Sequence, residues 1–449
     1  MTSPGEMVVG RALGEFAAQL AVVDLPAEVI EKLRCNILHD LVCAVGAHSV
    51  GEPLWGIVRS SGPAEATLLC DGARVGIEHA AFANASLMHA RAQDDTHFPA
   101  KTHVGSCVVP AALAIAEQTG ADGATFARAV IAGCEVAAAV GERLVLATTP
   151  RGFRATPVFG TLGAAAASAV ALGLDADGCA DAIAIASSFS GGLNQTWIDG
   201  SSEYRLHLGM AARNGIVAAR MAQGGLKGAP NWYEGAAGFV RAFAGEGADP
   251  GGDWELGRRW RLLDVTYKPY PVCAITQSPV QIALDLVAEH DLTPEQIVAV
   301  RCHLHPVDRL YPGTMNRGPF GDVGATLMSA EYCVAMAIKR RAATLDGLQE
   351  FDDPTILRLV ELTDVLADEG MPNLGSRLEL DLADGRTLSG ELVPDASTYG
   401  WDWDGVCANA DRMLPEMAID AARLAELTAA VRGLFELPNV APLVSGTLA

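Results

Sequence analysis

Nowhere in this sequence do about 18 apolar residues run uninterrupted, the length a membrane-crossing helix needs, although apolar residues make up 50% of the chain. The most apolar stretches, 107–116 and 161–172, are short and rich in small side chains, so no membrane partner is expected. Basic residues are scarce as well. Lys and Arg number 32 against 54 Asp and Glu, for a net charge of −22, which excludes the basic surface that non-specific nucleic-acid binding requires. A local cationic pocket inside an acidic protein stays open, because burial focuses its field. The 10 cysteines include no C-x-x-C pair and read as buried thiols of a reducing cytoplasm. The beginning of the chain, MTSPGEMVVGRALGEF, has no basic stretch leading into an apolar one, so no secretory leader is expected. Phosphate-binding glycine patterns are also missing, which argues against a nucleotide. Cys302, His303 and His305 form a metal-like cluster. Alternation along 297–305 sets the cysteine and the histidines on opposite faces of a strand, so no metal is expected.

The chain is too long for one ordinary core, and its texture changes along its length. Helical spacing of apolar residues covers 27–47, 78–92, 109–118, 123–146, 158–173, 177–190 and 208–223, with Pro110 read as a first helical residue. Residues 297–305, 376–382 and 386–392 alternate apolar and polar, and Asp384-Gly385 marks a hairpin between the last two. Helices are predicted at 274–290, 326–341 and 411–436, with Pro415 near a start. The reading is a mainly α protein: a large all-helical domain, 1–263 with 400–449, and a smaller α+β lid domain, 264–399.

Chemistry concentrates in the loops. RAQDDTHFPAKTHVGS, 91–106, carries Asp94, Asp95, Thr96, His97, Lys101 and His103 between two apolar segments. Phe98 precedes a proline and is pushed out of the α region, so the preceding helix is expected to end near 94–96. The next helix would offer free amides to an anion beside His103 and Gly105. A carboxylate and an imidazole facing such a site can remove and return a proton; the bland alternative is a polar turn. Arg205 and His207, two apart, would share one side of an extended segment, with Arg205 suited to gripping a carboxylate or to pairing with Glu203 at the surface. In YKPYPVCAITQ, 267–277, Lys268, Tyr270, Cys273 and Gln277 would line a pocket or simply a connector. Cys273 reads as a packed thiol unless a base lies nearby. Arg151 and Arg154 open a glycine-bearing helix whose Gly160 and Gly163 serve packing. Convergence of these loops would make a cationic pocket for a small polycarboxylate.

The order DDTHxxxxxH, VVPAALAIAE, AGCEV, FGTLGAAAA, LHxGxAARNG and YKPYPVC resembles the MmgE/PrpD family, which contains 2-methylcitrate dehydratase, cis-aconitate decarboxylase and iminodisuccinate epimerase. The likeness runs over about residues 30–340. It implies a cofactor-independent homodimer whose site lies between a helical domain and an α+β lid. On that resemblance Thr96, His103 and Lys268 fall on active-site positions, Tyr311 matches a lid tyrosine, and Asp94, Asp95 and His97 belong to the loop motif. The chain departs from the family pattern at Ala92, where an aspartate is usual. Arg154 and Gln277 stand where histidines are usual, and Arg205 where a lysine is usual. Arginine keeps the charge of the residues it replaces but does not shuttle protons near neutrality. The expected activity is a lyase acting next to a carboxylate, with His103 as principal base or acid oriented by Asp94 or Asp95. Tyr270, Tyr311 or a water would supply the second proton, and Arg154, Arg205 and Lys268 would clamp carboxylates. An epimerase of an iminodisuccinate-like dicarboxylate and a non-catalytic carboxylate binder are the alternatives.

Overall fold

The computed structural model describes residues 9–248 and 251–449. Residues 1–8 and 249–250, which fall in the expected helical domain, lie outside them. Helix accounts for 58% of the protein and strand for 8%, so the mainly α expectation holds. Among the described residues no helix is long and apolar enough to cross a membrane.

The helical body comprises α1 (Val9–Gln19), α2 (Ala27–Gly46), α3 (Ile77–Met88), α4 (Val104–Thr119), α5 (Gly123–Thr148), α6 (Ala155–Ala171), α7 (Ala176–Ser187) and α8 (Glu203–Gln223). Every residue of α6 is buried, as befits a helix that is apolar all round. It packs between α5, α4, α7 and α8. The α5–α6 contact depends on glycine: a Cβ on Gly163 would meet the Gly133 carbonyl oxygen at 2.5 Å, and one on Gly133 would meet that of Gly163 at 2.6 Å. Gly163 therefore serves packing, as its setting suggested.

Beyond residue 264 come α9 (Gln277–His290), α10 (Ala330–Arg340) and α11 (Pro354–Leu362). Short strands β1 (Thr96–His97) and β2 (Val265–Thr266) pair antiparallel, tying the loop after α3 to the start of this second region. A four-stranded sheet follows. Its strands are β3 (Ile297–Leu304), β4 (Thr363–Ala367), β5 (Ser376–Leu382) and β6 (Thr387–Leu392), in the order β4-β3-β5-β6. β3 runs parallel to β4 and antiparallel to β5. The β5–β6 hairpin turns at Gly385, whose φ of 86° suits glycine. Finally α12 (Trp403–Met413) and α13 (Ala421–Arg432) pack back on α2.

Several sequence expectations shift. α3 stops at Met88, well before the expected 94–96, and Ala92 adopts a positive φ of 50°. α4 begins at Val104, so Pro110 sits inside the helix rather than at its start. A buried carboxylate fixes that earlier start, as described below. Residues 205 and 207 belong to helix α8, not to an extended segment. Pro415 lies in a single 3-10 turn between α12 and α13. β4 had no expectation, because TDVLA lacks the length and alternation that mark a strand.

Candidate active site

The loop from His89 to His103 is shaped by hydrogen bonds to its own backbone. The Ala92 N–H donates to the His89 carbonyl, His97 and Thr102 exchange backbone bonds, and Lys101 turns with φ 49°. The Asp95 carboxylate accepts from the backbone N–H of Gly105 at 2.9 Å and of Ser106 at 3.3 Å, filling the start of α4. These are the amides expected to meet a ligand anion, and a side chain of the protein occupies them instead. Asp40 lies beside Asp95 and accepts from its N–H at 3.3 Å. A Cβ on Gly105 would come within 1.9 Å of the Asp40 carboxylate, so glycine is required there. Burial, then the neighbouring carboxylates, raise both acids, Asp95 to about 7 and Asp40 well above its ordinary value.

Asp94 is the centre of the site. It is fully buried and accepts from His89 Nδ1 at 2.8 Å, with His103 Nδ1 and Lys268 Nζ each at 3.7 Å. Burial alone would raise its pKa, but His103, His89 and Lys268 together hold it well below the ordinary carboxylate value. Arg154 Nη2 donates to His89 Nε2 at 2.6 Å. A guanidinium only donates, so His89 is neutral, with its proton on Nδ1 facing Asp94. Burial lowers its pKa to about 4. His103 follows similar logic: its Nδ1 lies 2.6 Å from the Asp95 carbonyl, which only accepts, and 3.3 Å from Thr96 Oγ1. The proton therefore sits on Nδ1 and Nε2 keeps its lone pair. Burial, reinforced by Lys268, His89 and Arg154, lowers the His103 pKa well below its ordinary value, though Asp94 opposes the shift.

These groups face a cavity of about 450 Å³ between the helical body and the sheet-bearing region. Thr96, Lys101, His103, Arg154, Lys268, Cys273 and Tyr311 all line it, as expected of a converging pocket. Others do not. Arg205 donates to the Val50 carbonyl at 3.2 Å and borders a separate hollow. Arg151 is exposed and reaches the Ala242 carbonyl. His207 sits behind Arg154, its Nδ1 3.4 Å from Nη1. His97 is buried beneath the loop, where Nδ1 accepts from the Ala100 N–H. Tyr270 donates its hydroxyl proton to Gln281 at 2.6 Å, away from the cavity. The Gln277 side chain bonds the backbone of Tyr270 and Val272, bracing the 267–273 turn. Asp95 meets His103 through its carbonyl while its carboxylate caps α4. The Cys273 thiol is pushed up by burial, so it fits a packed thiol rather than a nucleophile.

Arg154 carries charge but has few free donors. It donates to the Tyr204 carbonyl and to His89, and lies over the Trp197 ring at 4.6 Å. Sequence reasoning missed His89, Trp197 and Asp308, all of which line the cavity. Of these only His89 had a legible signal, as an imidazole closing an apolar helix five residues before Asp94. His89, Asp94 and His103 lie close enough to hold a metal ion. Their spacings are instead those of a hydrogen-bonded set: both His89 nitrogens are committed, and Lys268 and Arg154 already balance the carboxylate. Cys302 and His303 do fall on opposite faces of β3, with Cys302 buried and His303 partly exposed.

The fold and cavity thus define a class: a mainly helical protein with an internal cation-lined site built around an ionised, buried aspartate. The sequence matches the model of the MmgE/PrpD N-terminal domain over residues 11–250 and of the MmgE/PrpD C-terminal domain over 270–391, and the chain belongs to the MmgE/PrpD family. It is 25% identical to a cis-aconitate decarboxylase of Aspergillus terreus over 463 residues, covering 96% of this chain and 94% of that protein. It is 30% identical to the cis-aconitate decarboxylase-like protein oryM of Aspergillus oryzae over 57% of each chain. The human cis-aconitate decarboxylase is 30% identical over 49% of this chain and 47% of its own length.

Proposed function

We propose that this protein is a lyase that takes a small di- or tricarboxylate and moves a proton at the carbon next to a carboxylate, with loss of water or of carbon dioxide. The observation that carries this reading is His103: a neutral imidazole, its Nδ1 committed to a carbonyl, on the wall of a cavity that also holds Lys268 and Arg154. Family membership and the decarboxylase relatives support the lyase class.

In this reading His103 Nε2 removes the proton, and the charge that develops spreads into the adjacent carboxylate as an enediolate. Lys268 and Arg154 stabilise that charge. Tyr311, whose phenol burial raises to about 12, keeps its proton at neutral pH and delivers it. In dehydration that proton goes to the departing hydroxyl. In decarboxylation no C–H proton is removed: the electron pair of the breaking bond to carbon dioxide shifts through the allylic system, and Tyr311 protonates the distal carbon. Thr96 and Asp94 hold His103 in place. The cavity residues perform this chemistry without a resident cofactor. We further read residues 264–399 as a lid domain over the helical one, and the working protein as a cytoplasmic homodimer.

The test is incubation with cis-aconitate and citrate in heavy water, followed by proton NMR and carbon dioxide release. Loss of water or carbon dioxide that disappears in His103→Gln supports the reading. Label uptake with inversion of an iminodisuccinate-like substrate would assign the epimerase alternative instead, and binding without turnover a non-catalytic member.

A further inference from the structure

The cavity wall carries Lys101, Arg154, Lys268 and the imidazoles of His89 and His103, and from the sheet-bearing region it also presents one carboxylate. Asp308 follows β3 in a short helical turn (Pro306–Arg309), is only 7% exposed, and lines the cavity. Its Oδ2 accepts from the Leu374 N–H at 2.6 Å, which pins a residue with φ 64°. Among the described residues no protein donor reaches Oδ1, and that oxygen is not sealed from solvent. Burial raises the Asp308 pKa, while the Leu374 N–H, His305 and Lys101 favour its ionised form.

A carboxylate with one open oxygen in a site for polycarboxylates repels a ligand that offers only carboxylates beside it. A ligand donor at that oxygen would make a charge-assisted hydrogen bond. We infer that Asp308 is a specificity-determining residue, and that the ligand bears a hydrogen-bond donor, a hydroxyl or a protonated amine, on the part that meets it. This rests on the reading of the cavity as a polycarboxylate site. It narrows that reading to hydroxy- or amino-substituted acids over those with no donor.

The test is calorimetric titration with matched pairs: citrate against tricarballylate, which differ by one hydroxyl, and aspartate against succinate, which differ by one ammonium. In the unaltered protein the donor-bearing member of at least one pair should bind at least about fivefold tighter, and the responsive pair identifies the donor. In Asp308→Asn the carboxamide oxygen still accepts from Leu374 while the charge is gone, and the preference should fall to within about twofold. A smaller ratio in both pairs for the unaltered protein, or a preference that survives in a folded Asp308→Asn protein, overturns the inference. Should the variant fail to fold, the pair ratios of the unaltered protein decide alone. Equal binding within both pairs sinks only the role of Asp308, whereas binding of none of the four acids sinks the polycarboxylate reading and this inference with it.

Discussion

Arg154 donates to His89 Nε2 across 2.6 Å, and this hydrogen bond sets the protonation of His89. It makes His89 an acceptor on that nitrogen and a donor to Asp94 on the other. Asp94 is thereby fixed as the anion beside His103 and Lys268. His89→Leu breaks both links, whereas His89→Gln can still donate to Asp94 and accept from Arg154. We expect the leucine variant to lose about 10–100-fold in kcat with its pH profile displaced, and the glutamine variant to recover part of both. Steady-state kinetics from pH 5.5 to 8.5 on the substrate found for the unaltered enzyme reads the difference.

His103 is the group whose removal should cost most. Replacement by Gln removes the Nε2 lone pair while keeping a side chain able to bond the Asp95 carbonyl. Turnover should fall by about 10²–10⁴-fold with ligand binding reduced far less. Full activity in the Gln variant would reassign the base. A bound polyanion opposes the burial effect that keeps His103 neutral, so its pKa should rise on binding. Imidazole NMR signals followed with and without tricarballylate should show that direction.

Arg91 is fully buried, pairs with Glu416 through two bonds of 3.0 Å, and also donates to the Gly46 carbonyl. Glu416 in turn accepts from the Leu345 N–H. One guanidinium thus ties the active-site loop to α2, to the segment after α12 and, through Glu416, to the stretch between α10 and α11. Arg91→Met should lower stability by about 3–5 kcal/mol by stranding its partner. Urea unfolding would measure it, and an unchanged midpoint would refute the claim.

Glu135 provides a pH test. It is fully buried and accepts from the Leu262 N–H at 2.8 Å, and burial raises it to about 7. A raised folded pKa contributes stability below the unfolded value of 4.5 that is lost as pH rises through 7. His39 and His89, lowered to about 4, act oppositely: their contribution is lost as pH falls from about 6.5 toward 4. The unaltered protein's profile mixes these effects, so the difference between variants is the clean readout. Glu135→Gln should match the parent near pH 4 and exceed it by about 3 kcal/mol at pH 8.

Much of the helical body was legible because apolar spacing reports burial directly. Ala27–Gly46, Gly123–Thr148 and Ala176–Ser187 fall within a few residues of their sequence readings. Ser376–Leu382 falls on its reading without a shift, since strict alternation specifies one buried face. Element ends were less legible. α3 stops early because His89 turns to Asp94, a partner that becomes a neighbour only once the loop is folded, and Ala92 bends back to the His89 carbonyl.

The sequence by itself determined the mainly helical class, the acidic surface, and the clustering of acid, imidazole and lysine in 91–106 and 267–273, because each is written in local composition and spacing. Tertiary structure decided which of those groups meet. It sent Arg205 to another hollow, spent the Asp95 carboxylate on the start of α4, and turned Gln277 into a brace. It also brought in His89, whose local signal was slight, and Asp308, which no local pattern had marked. Hydrogen bonding and charge balance act over a few ångströms in space, and residues as far apart as Asp94 and Lys268 become neighbours only when the chain has closed around them.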